Sequence, residues 1–126
     1  MMKKYLITGG IFALLSVLLG AIGSHALKNK MSTESLQAFE TANRYLMYHA
    51  LALLVISQTP LVTRPWIFRL FFWGVLFFCF SIYALSLGSL TPFQWSVLGP
   101  VTPVGGGLLI LGWALLIKES LKLKSK

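Results

Sequence analysis

Two histidines, His25 and His49, are the residues of this 126-residue chain that are best suited to chemistry. They lie in the apolar segments GAIGSHAL (20–27) and YLMYHALALL (45–54). Imidazole can bind a metal ion or haem iron, and it can also donate or accept hydrogen bonds. Ionisable side chains within apolar segments are costly to bury, so they often mark functional sites. The two histidines are therefore our first site candidates.

Two interpretations of these histidines are open. In the simpler one, each imidazole hydrogen-bonds a carbonyl or a Tyr hydroxyl and fixes a junction between helix and loop. In the other, His25 and His49 together bind haem or a metal. Most metal sites need three or four protein ligands, and no Asp or Cys lies nearby in the sequence. We therefore expect no metal and no cofactor.

Small and polar residues near the histidines complete one candidate binding cluster. The segment VTPVGGG (101–107) resembles the broken helices at which transporters bind their substrates. In the simpler interpretation, Thr102 caps a helix and Pro103 occupies its first turn. The full cluster consists of His25, Tyr45, Tyr48, His49, Thr102, Pro103, Gly105 and Gly106. Because the sequence has no phosphate loop, GxSxG elbow, HExxH motif or carboxylate pair within an apolar run, we predict no catalytic residues and no enzyme activity.

The elements that carry these residues are predicted from composition. The sequence is 56% hydrophobic and 11% charged, whereas about a quarter of the residues of a soluble domain are charged. Since about 20 apolar residues cross a bilayer as a helix, we predict membrane spans at residues 5–26, 45–62, 66–88 and 103–121. Residues 1–126 then form a single all-α domain, a polytopic transmembrane four-helix bundle.

Two shorter features flank these spans. A hydroxyl at residue 32 or 33 can cap a helix that continues into the second span, which gives that span an amphipathic extension. Within the extension, Glu40 and Arg44 have the i, i+4 spacing of a surface ion pair. A Thr-Pro pair indicates a short interfacial helix over residues 92–97, before the fourth span.

Small residues recur along the spans at intervals of three and four positions. In lipid the hydrophobic effect does not drive helices together, so helices associate by close packing through such residues. The alternating spacing is typical of a left-handed coiled coil, and we therefore predict a left-handed bundle. The packing residues are Gly9, Ala13, Ser16, Gly20, Gly23, Ala42, Ala52, Gly74, Ser81, Ala84, Gly88 and Gly112.

The cations predict the topology. Lys and Arg collect at the ends of the spans, and by the positive-inside rule the richer side is cytoplasmic. That side carries Lys3, Lys4, Arg64, Arg69, Lys118, Lys122, Lys124 and Lys126, whereas the other side carries Lys28, Lys30 and Arg44. Both termini are therefore predicted to be cytoplasmic. The net charge of +8 does not lie on one amphipathic face, so we expect no nucleic-acid partner.

The first span also imitates a secretory signal peptide. Two lysines, an apolar stretch and the small-x-small sequence SHA (24–26) follow one another. The apolar stretch is longer than the roughly 7 to 15 residues of a signal core. We therefore expect the first span to be retained.

Three segments combine His, Tyr, Thr-Pro and paired glycines in a fixed order. They are GAIGSHAL (20–27), FETANRYLMYHALALL (39–54), and PVTPVGG (100–106) with the later GW (112–113). In these segments the chain resembles the YgdD-like family of small four-span bacterial membrane proteins. The matching positions are Gly20, Gly23, His25, Phe39, Thr41, Tyr45, His49, Thr102, Pro103, Gly105 and Gly106. The resemblance implies retained spans, a location in the bacterial plasma (inner) membrane and no assigned activity.

Two functions are consistent with this sequence. The first is a structural or interaction protein, a bundle that associates with itself as a homo-oligomer or with another membrane protein. The alternative is a small transporter, or a protein that binds lipid or another small molecule at an outer-face site around His25 and His49. Membrane lipids are expected partners in both cases.

Overall fold

Four long helices form the part of the chain that the computed structural model describes, residues 2–88 and 99–124. They are Met2–His25, Thr33–Ile56, Pro65–Leu87 and Val101–Leu121, here called the first to fourth helix. The described residues contain no strand. The first, third and fourth helices are long and apolar enough to cross a membrane. The predicted all-α, four-helix architecture is confirmed, and the helix predicted at 92–97 lies outside the described residues.

The second helix begins where its capping signal predicts. The Ser32 hydroxyl accepts a hydrogen bond from the Ser35 N–H, at 3.1 Å, and satisfies one of the free amides of the first turn. The predicted extension before the second span is therefore present. The other end differs from the prediction of a span over 45–62. The α-helix ends at Ile56, and a separate 3₁₀ turn, Pro60–Thr63, follows it. The Thr59 hydroxyl caps this turn by accepting a hydrogen bond from the Leu61 N–H.

The fourth helix begins two residues earlier than predicted. Its first residue is Val101, and its N-cap, Pro100, makes no side-chain capping bond. The prediction that Thr102 caps this helix is wrong, because its hydroxyl lies 2.6 Å from Ser81 Oγ on the third helix. Pro103 does lie in the first turn, where its missing N–H costs no hydrogen bond.

Consecutive helices are antiparallel and approach closely at glycines. In the first pair, Gly23 lies against Phe39 whereas Gly9 lies against Leu54. A Cβ would come within 2.6–2.9 Å of a neighbouring side-chain atom, which would have to shift, at Gly9, Gly20, Gly23, Gly74 and Gly112. Because consecutive helices are antiparallel, their termini collect at two opposite ends of the bundle, here called the basal end and the distal end. Met2, Ile56, Pro65 and Leu121 lie at the basal end, and His25, Thr33, Leu87 and Val101 lie at the distal end.

The other predicted packing residues also lie in or beside the helix interfaces. Ser16, Ala42, Ser81 and Gly88 are buried, and Ala13, Ala52 and Ala84 are half-buried. The left-handed sense of the bundle stays a prediction.

Asn43 connects three helices through hydrogen bonds. The Ser16 hydroxyl of the first helix donates to the Asn43 carbonyl at 3.0 Å. The Tyr83 hydroxyl of the third helix donates to Asn43 Oδ1 at 2.7 Å. In lipid, interhelical hydrogen bonds of this kind add to the packing of small residues, and each contributes about 0.6 kcal/mol. Asn43 therefore fixes the register of the first three helices toward the distal end.

Candidate functional site

A groove on the side of the bundle separates the second and fourth helices. Beside the groove, Gly105 of the fourth helix contacts the third helix, whose backbone at Phe77 and Phe78 occupies the place of a Cβ. At that point the third helix contains a π-helical segment, Leu76–Phe80. Single π turns inside α-helices are frequent at functional sites. The Phe78 ring of this segment lies beside the second helix, with its centroid 5.1 Å from that of the Tyr45 ring.

Two adjoining cavities make up this side groove, and Trp113 lines both. The first has a volume of about 300 Å³ and is lined by Tyr45, His49, Phe78, Gly106, Leu109, Ile110 and Trp113. The second has about 370 Å³ and is lined by Tyr48, Leu51, Ala52, Val55, Ile56, Trp113 and Leu116. The walls are therefore residues 45–56 of the second helix, 106–116 of the fourth, and the Phe78 ring of the third. The outer rims are exposed, with Val55 at 65% and Ile110 at 71%.

His49 lies buried at the base of the groove, with only 4% of its surface exposed. Its Nε2 accepts a hydrogen bond from the indole N–H of Trp113 at 3.0 Å. Its Nδ1 lies 2.7 Å from the Tyr45 carbonyl oxygen. Because an indole N–H can only donate and a carbonyl can only accept, we assign His49 as the neutral tautomer with its hydrogen on Nδ1.

Aromatic rings hold this imidazole on two sides. The ring centroids of Phe71 and Trp113 each lie 5.7 Å from that of His49, in edge-to-face geometry. Both nitrogens are already hydrogen-bonded, so His49 can ligate a metal or haem iron only if Trp113 releases it. Among residues 2–88 and 99–124, no three His, Cys, Asp or Glu side chains come together. The arrangement suits an apolar molecule better than a metal.

The predicted binding cluster is only partly assembled. Tyr45, His49 and Gly106 line the first cavity, and Tyr48 lines the second. Gly105 is a packing residue, Thr102 is bonded to the third helix and Pro103 is exposed.

His25 does not join this cluster. It is the exposed last residue of the first helix. Gly23 beside it lies against Phe39, which precedes His49 by about 15 Å of helical rise. The structure therefore does not bring the two histidines together.

The groove contains two aromatic residues that the sequence-based cluster omits, Trp113 and Phe78. Trp113 occupies the GW pair of the last family motif, and that pair was the available signal. Phe78 is one of six aromatic residues at positions 71–80, and nothing in that run distinguishes the ring that enters the groove.

Arg44 makes a different side-chain contact from the one that its spacing predicts. Its Nη2 donates to the Thr41 hydroxyl at 3.2 Å, one turn toward the distal end. The ion pairs within the described ranges join Glu119 to Arg64 at 3.4 Å and to Lys122 at 3.6 Å. The predicted Glu40–Arg44 ion pair is therefore wrong, and Arg44 has no carboxylate partner in that part of the chain.

A four-helix bundle with three helices apolar enough to span a bilayer and a groove open on its side defines a helical membrane protein. Residues 19–106 match the family model described as "Protein of unknown function (DUF423)". The chain belongs to this family.

Bacterial membrane proteins are among its relatives. A UPF0382 membrane protein of Staphylococcus saprophyticus is 39% identical over 125 residues, which cover 97% of this chain and 100% of the relative. One of Staphylococcus aureus is 43% identical over 124 residues, covering 96% and 98%. The UPF0382 membrane protein YwdK of Bacillus subtilis is 37% identical over 129 residues, again covering 96% and 98%. No solved structure gives a significant match.

Proposed function

We propose that this protein binds an apolar or amphiphilic molecule of the membrane in the side groove. One observation carries the proposal, namely the two adjoining cavities of about 300 and 370 Å³ that share Trp113. Such volumes lie in the range of small-molecule sites, which are mostly apolar and have a few placed polar groups. The function proposed is therefore the binding alternative, centred on His49 without His25.

The chemistry of the walls favours a hydrocarbon chain. The polar atoms of His49 and Trp113 satisfy each other and the Tyr45 carbonyl. They therefore do not demand a polar ligand at the base of the groove, since a buried polar group costs free energy only when it lacks a partner. The remaining wall residues are aliphatic or aromatic, apart from the hydroxyls of Tyr45 and Tyr48.

The length of the groove supports the same ligand class. Residues 45–56 rise by about 16 Å along the second helix. One leaflet contributes about 15 Å to the hydrocarbon core of a bilayer. A single acyl chain is therefore long enough to fill both cavities from one leaflet.

The exposed face of the first helix supports no comparable proposal for a protein partner. Its outward residues are Leu6, Ile7, Ile11, Leu14, Val17, Leu18 and Ile22. A continuous apolar face is what contact with lipid requires of any spanning helix. We therefore propose membrane lipids as the partners and assign the protein a binding role without catalysis.

We also propose that the chain crosses the membrane four times, with both termini in the cytoplasm. The second helix packs antiparallel to the first from Gly23 to Gly9, about 21 Å of rise, so it crosses most of the same depth. The basal end carries Arg64, Lys118 and Lys122, and cation-rich ends are cytoplasmic. We further propose that the protein lies in the bacterial plasma membrane and that it belongs to the YgdD-like branch of its family. Reporter fusions after residue 30 and residue 126 should report opposite sides.

Quenching of tryptophan fluorescence by lipids with brominated acyl chains tests the groove. A protein that retains only Trp113, with the other tryptophans changed to Phe, is reconstituted with such lipids. We expect stronger quenching than in a matched protein that retains only Trp73, which is exposed on the third helix. The reason is that a chain held in the groove stays in contact with Trp113, whereas bulk lipid reaches Trp73 only by random contact.

Two neighbouring glycines supply the matched control. Leu in place of Gly106 starts from an unstrained Cβ, 3.5 Å from the Phe78 ring, and extends into the first cavity. A Cβ in place of Gly107 meets no atom within 4 Å, so a Leu side chain there starts in open space. Gly106→Leu should reduce Trp113 quenching to the Trp73 value, and Gly107→Leu should leave it unchanged. Equal quenching of Trp113 and Trp73 in the parent proteins would falsify the proposed function.

A further inference from the structure

The geometry points to an anionic phospholipid as the occupant of the side groove, with its headgroup at Arg44 and one acyl chain along residues 45–56. This inference rests on the proposed function and adds the chemical class of the ligand. Its basis is the position of one cation relative to the groove wall.

Arg44 belongs to the same stripe of the second helix as the groove wall. Arg44, Tyr48, Leu51 and Val55 follow one another at intervals of four, three and four residues. Residues at this spacing lie on one helix face, and the last three line the second cavity. Arg44 therefore stands one turn beyond the distal end of that cavity.

The side chain of Arg44 reaches the depth at which lipid headgroups lie. Its neighbour Asn43 lies beside Gly20, close to the end of the apolar stretch of the first helix at Gly23. The hydrogen bond from Arg44 to Thr41 directs the guanidinium one turn further toward the distal end. Long cationic side chains extend in this manner from the apolar layer to the interface.

Arg44 forms no ion pair within the described residues. Its partner there is the neutral Thr41 hydroxyl, and it forms no ion pair with Glu40. A guanidinium binds phosphate oxygens through two parallel hydrogen bonds. An anionic headgroup supplies the missing countercharge, whereas a zwitterionic headgroup brings a cation of its own. Charge complementarity therefore selects the anionic lipid.

The test compares two brominated phospholipids on the protein that retains only Trp113. Brominated phosphatidylglycerol or brominated phosphatidylcholine is added in increasing fractions to unbrominated phosphatidylcholine membranes. A cation near the membrane surface increases the affinity for an anionic lipid by about fivefold. We therefore expect the parent protein to bind phosphatidylglycerol about fivefold more tightly than phosphatidylcholine. Raised salt concentration should reduce this preference.

Arg44→Gln should abolish the preference and leave the quenching by phosphatidylcholine unchanged. The matched control is Lys28→Gln, which removes an exposed cation from the same end of the bundle and should keep the preference. Arg44→Lys retains the charge and should keep part of it. Inorganic phosphate added to the detergent-solubilised protein should not change Trp113 fluorescence, because a free phosphate has no chain to hold it in the groove.

The possible failures are distinguishable. If Trp113 is quenched more than Trp73 but both lipids act equally, or if Arg44→Gln retains the preference, the anionic lipid is wrong and the groove proposal stands. If neither lipid quenches Trp113 beyond Trp73, both proposals fall. A response to inorganic phosphate alone would replace the lipid by a soluble anion.

Discussion

Alanine at Gly105 should separate the third and fourth helices. The added Cβ would overlap backbone atoms of Phe77 and Phe78, and a backbone cannot move aside as the end of a flexible side chain can. Overpacking costs about 1 to 3 kcal/mol, occasionally more, so we take about 3 kcal/mol for this site. Alanine recovers up to about 1 kcal/mol of helix propensity. The expected net loss of stability is about 2 kcal/mol.

The two adjacent glycines calibrate this estimate. Gly107→Ala adds a Cβ with no atom within 4 Å, so it should gain up to about 1 kcal/mol from helix propensity alone. Gly106→Ala makes an ordinary contact of 3.5 Å with the Phe78 ring and should also be tolerated. Gly105→Ala should therefore be less stable than Gly107→Ala by about 3 kcal/mol.

Equilibrium unfolding in mixed micelles measures the difference. The fraction of dodecyl sulfate is raised in a mild detergent, and far-ultraviolet circular dichroism follows the loss of helix for each of the three variants. The reasoning is refuted if Gly105→Ala unfolds at the same dodecyl sulfate fraction as Gly107→Ala. That result would mean that the backbones of the third and fourth helices do not meet at the π turn.

Two further substitutions test individual hydrogen bonds. Tyr83→Phe removes only the bond to Asn43 and should lower the free energy of unfolding by about 0.6 kcal/mol, measured in the same micelles; no loss would remove Asn43 as a link between helices. His49→Phe keeps a ring between the aromatic neighbours but removes the acceptor of the Trp113 N–H. The indole N–H resonance of Trp113 should shift and exchange faster with solvent, and an unchanged resonance would contradict the assigned bond.

The sequence predicts the elements well because their signals are local. Apolar length predicts the helices, and the Ser32 cap predicts where the second one begins. The errors occur where a local signal competes with a contact to a distant helix. Thr102 has the chemistry of a cap, yet the structure uses its hydroxyl for Ser81, 21 residues away. Arg44 is an exception, because both Glu40 and the Thr41 hydroxyl that it binds instead lie one turn away on the same helix, and spacing alone does not decide between them.

In the candidate site, too, local features are predictable from the sequence and long-range contacts are not. Tyr45, Tyr48, His49 and Gly106 are recognisable from sequence as polar or small residues in apolar segments. Their assembly with Trp113 is not recognisable from sequence, because the hydrogen bond between Trp113 and His49 joins residues that are 64 positions apart. The inclusion of His25 failed for a related reason. Sequence motifs do not record depth along a bundle, and antiparallel packing places the two histidines at different levels.

By itself, the sequence determined that this protein consists of long apolar helices with small residues at their interfaces, since composition and spacing act within one helix. The tertiary structure alone decided which faces meet. The third and fourth helices meet at Gly105 beside the π turn, and the side groove lies between the fourth helix and the second. The physical reason is that helix packing depends on the fit between two surfaces, and the shape of one helix does not specify the other.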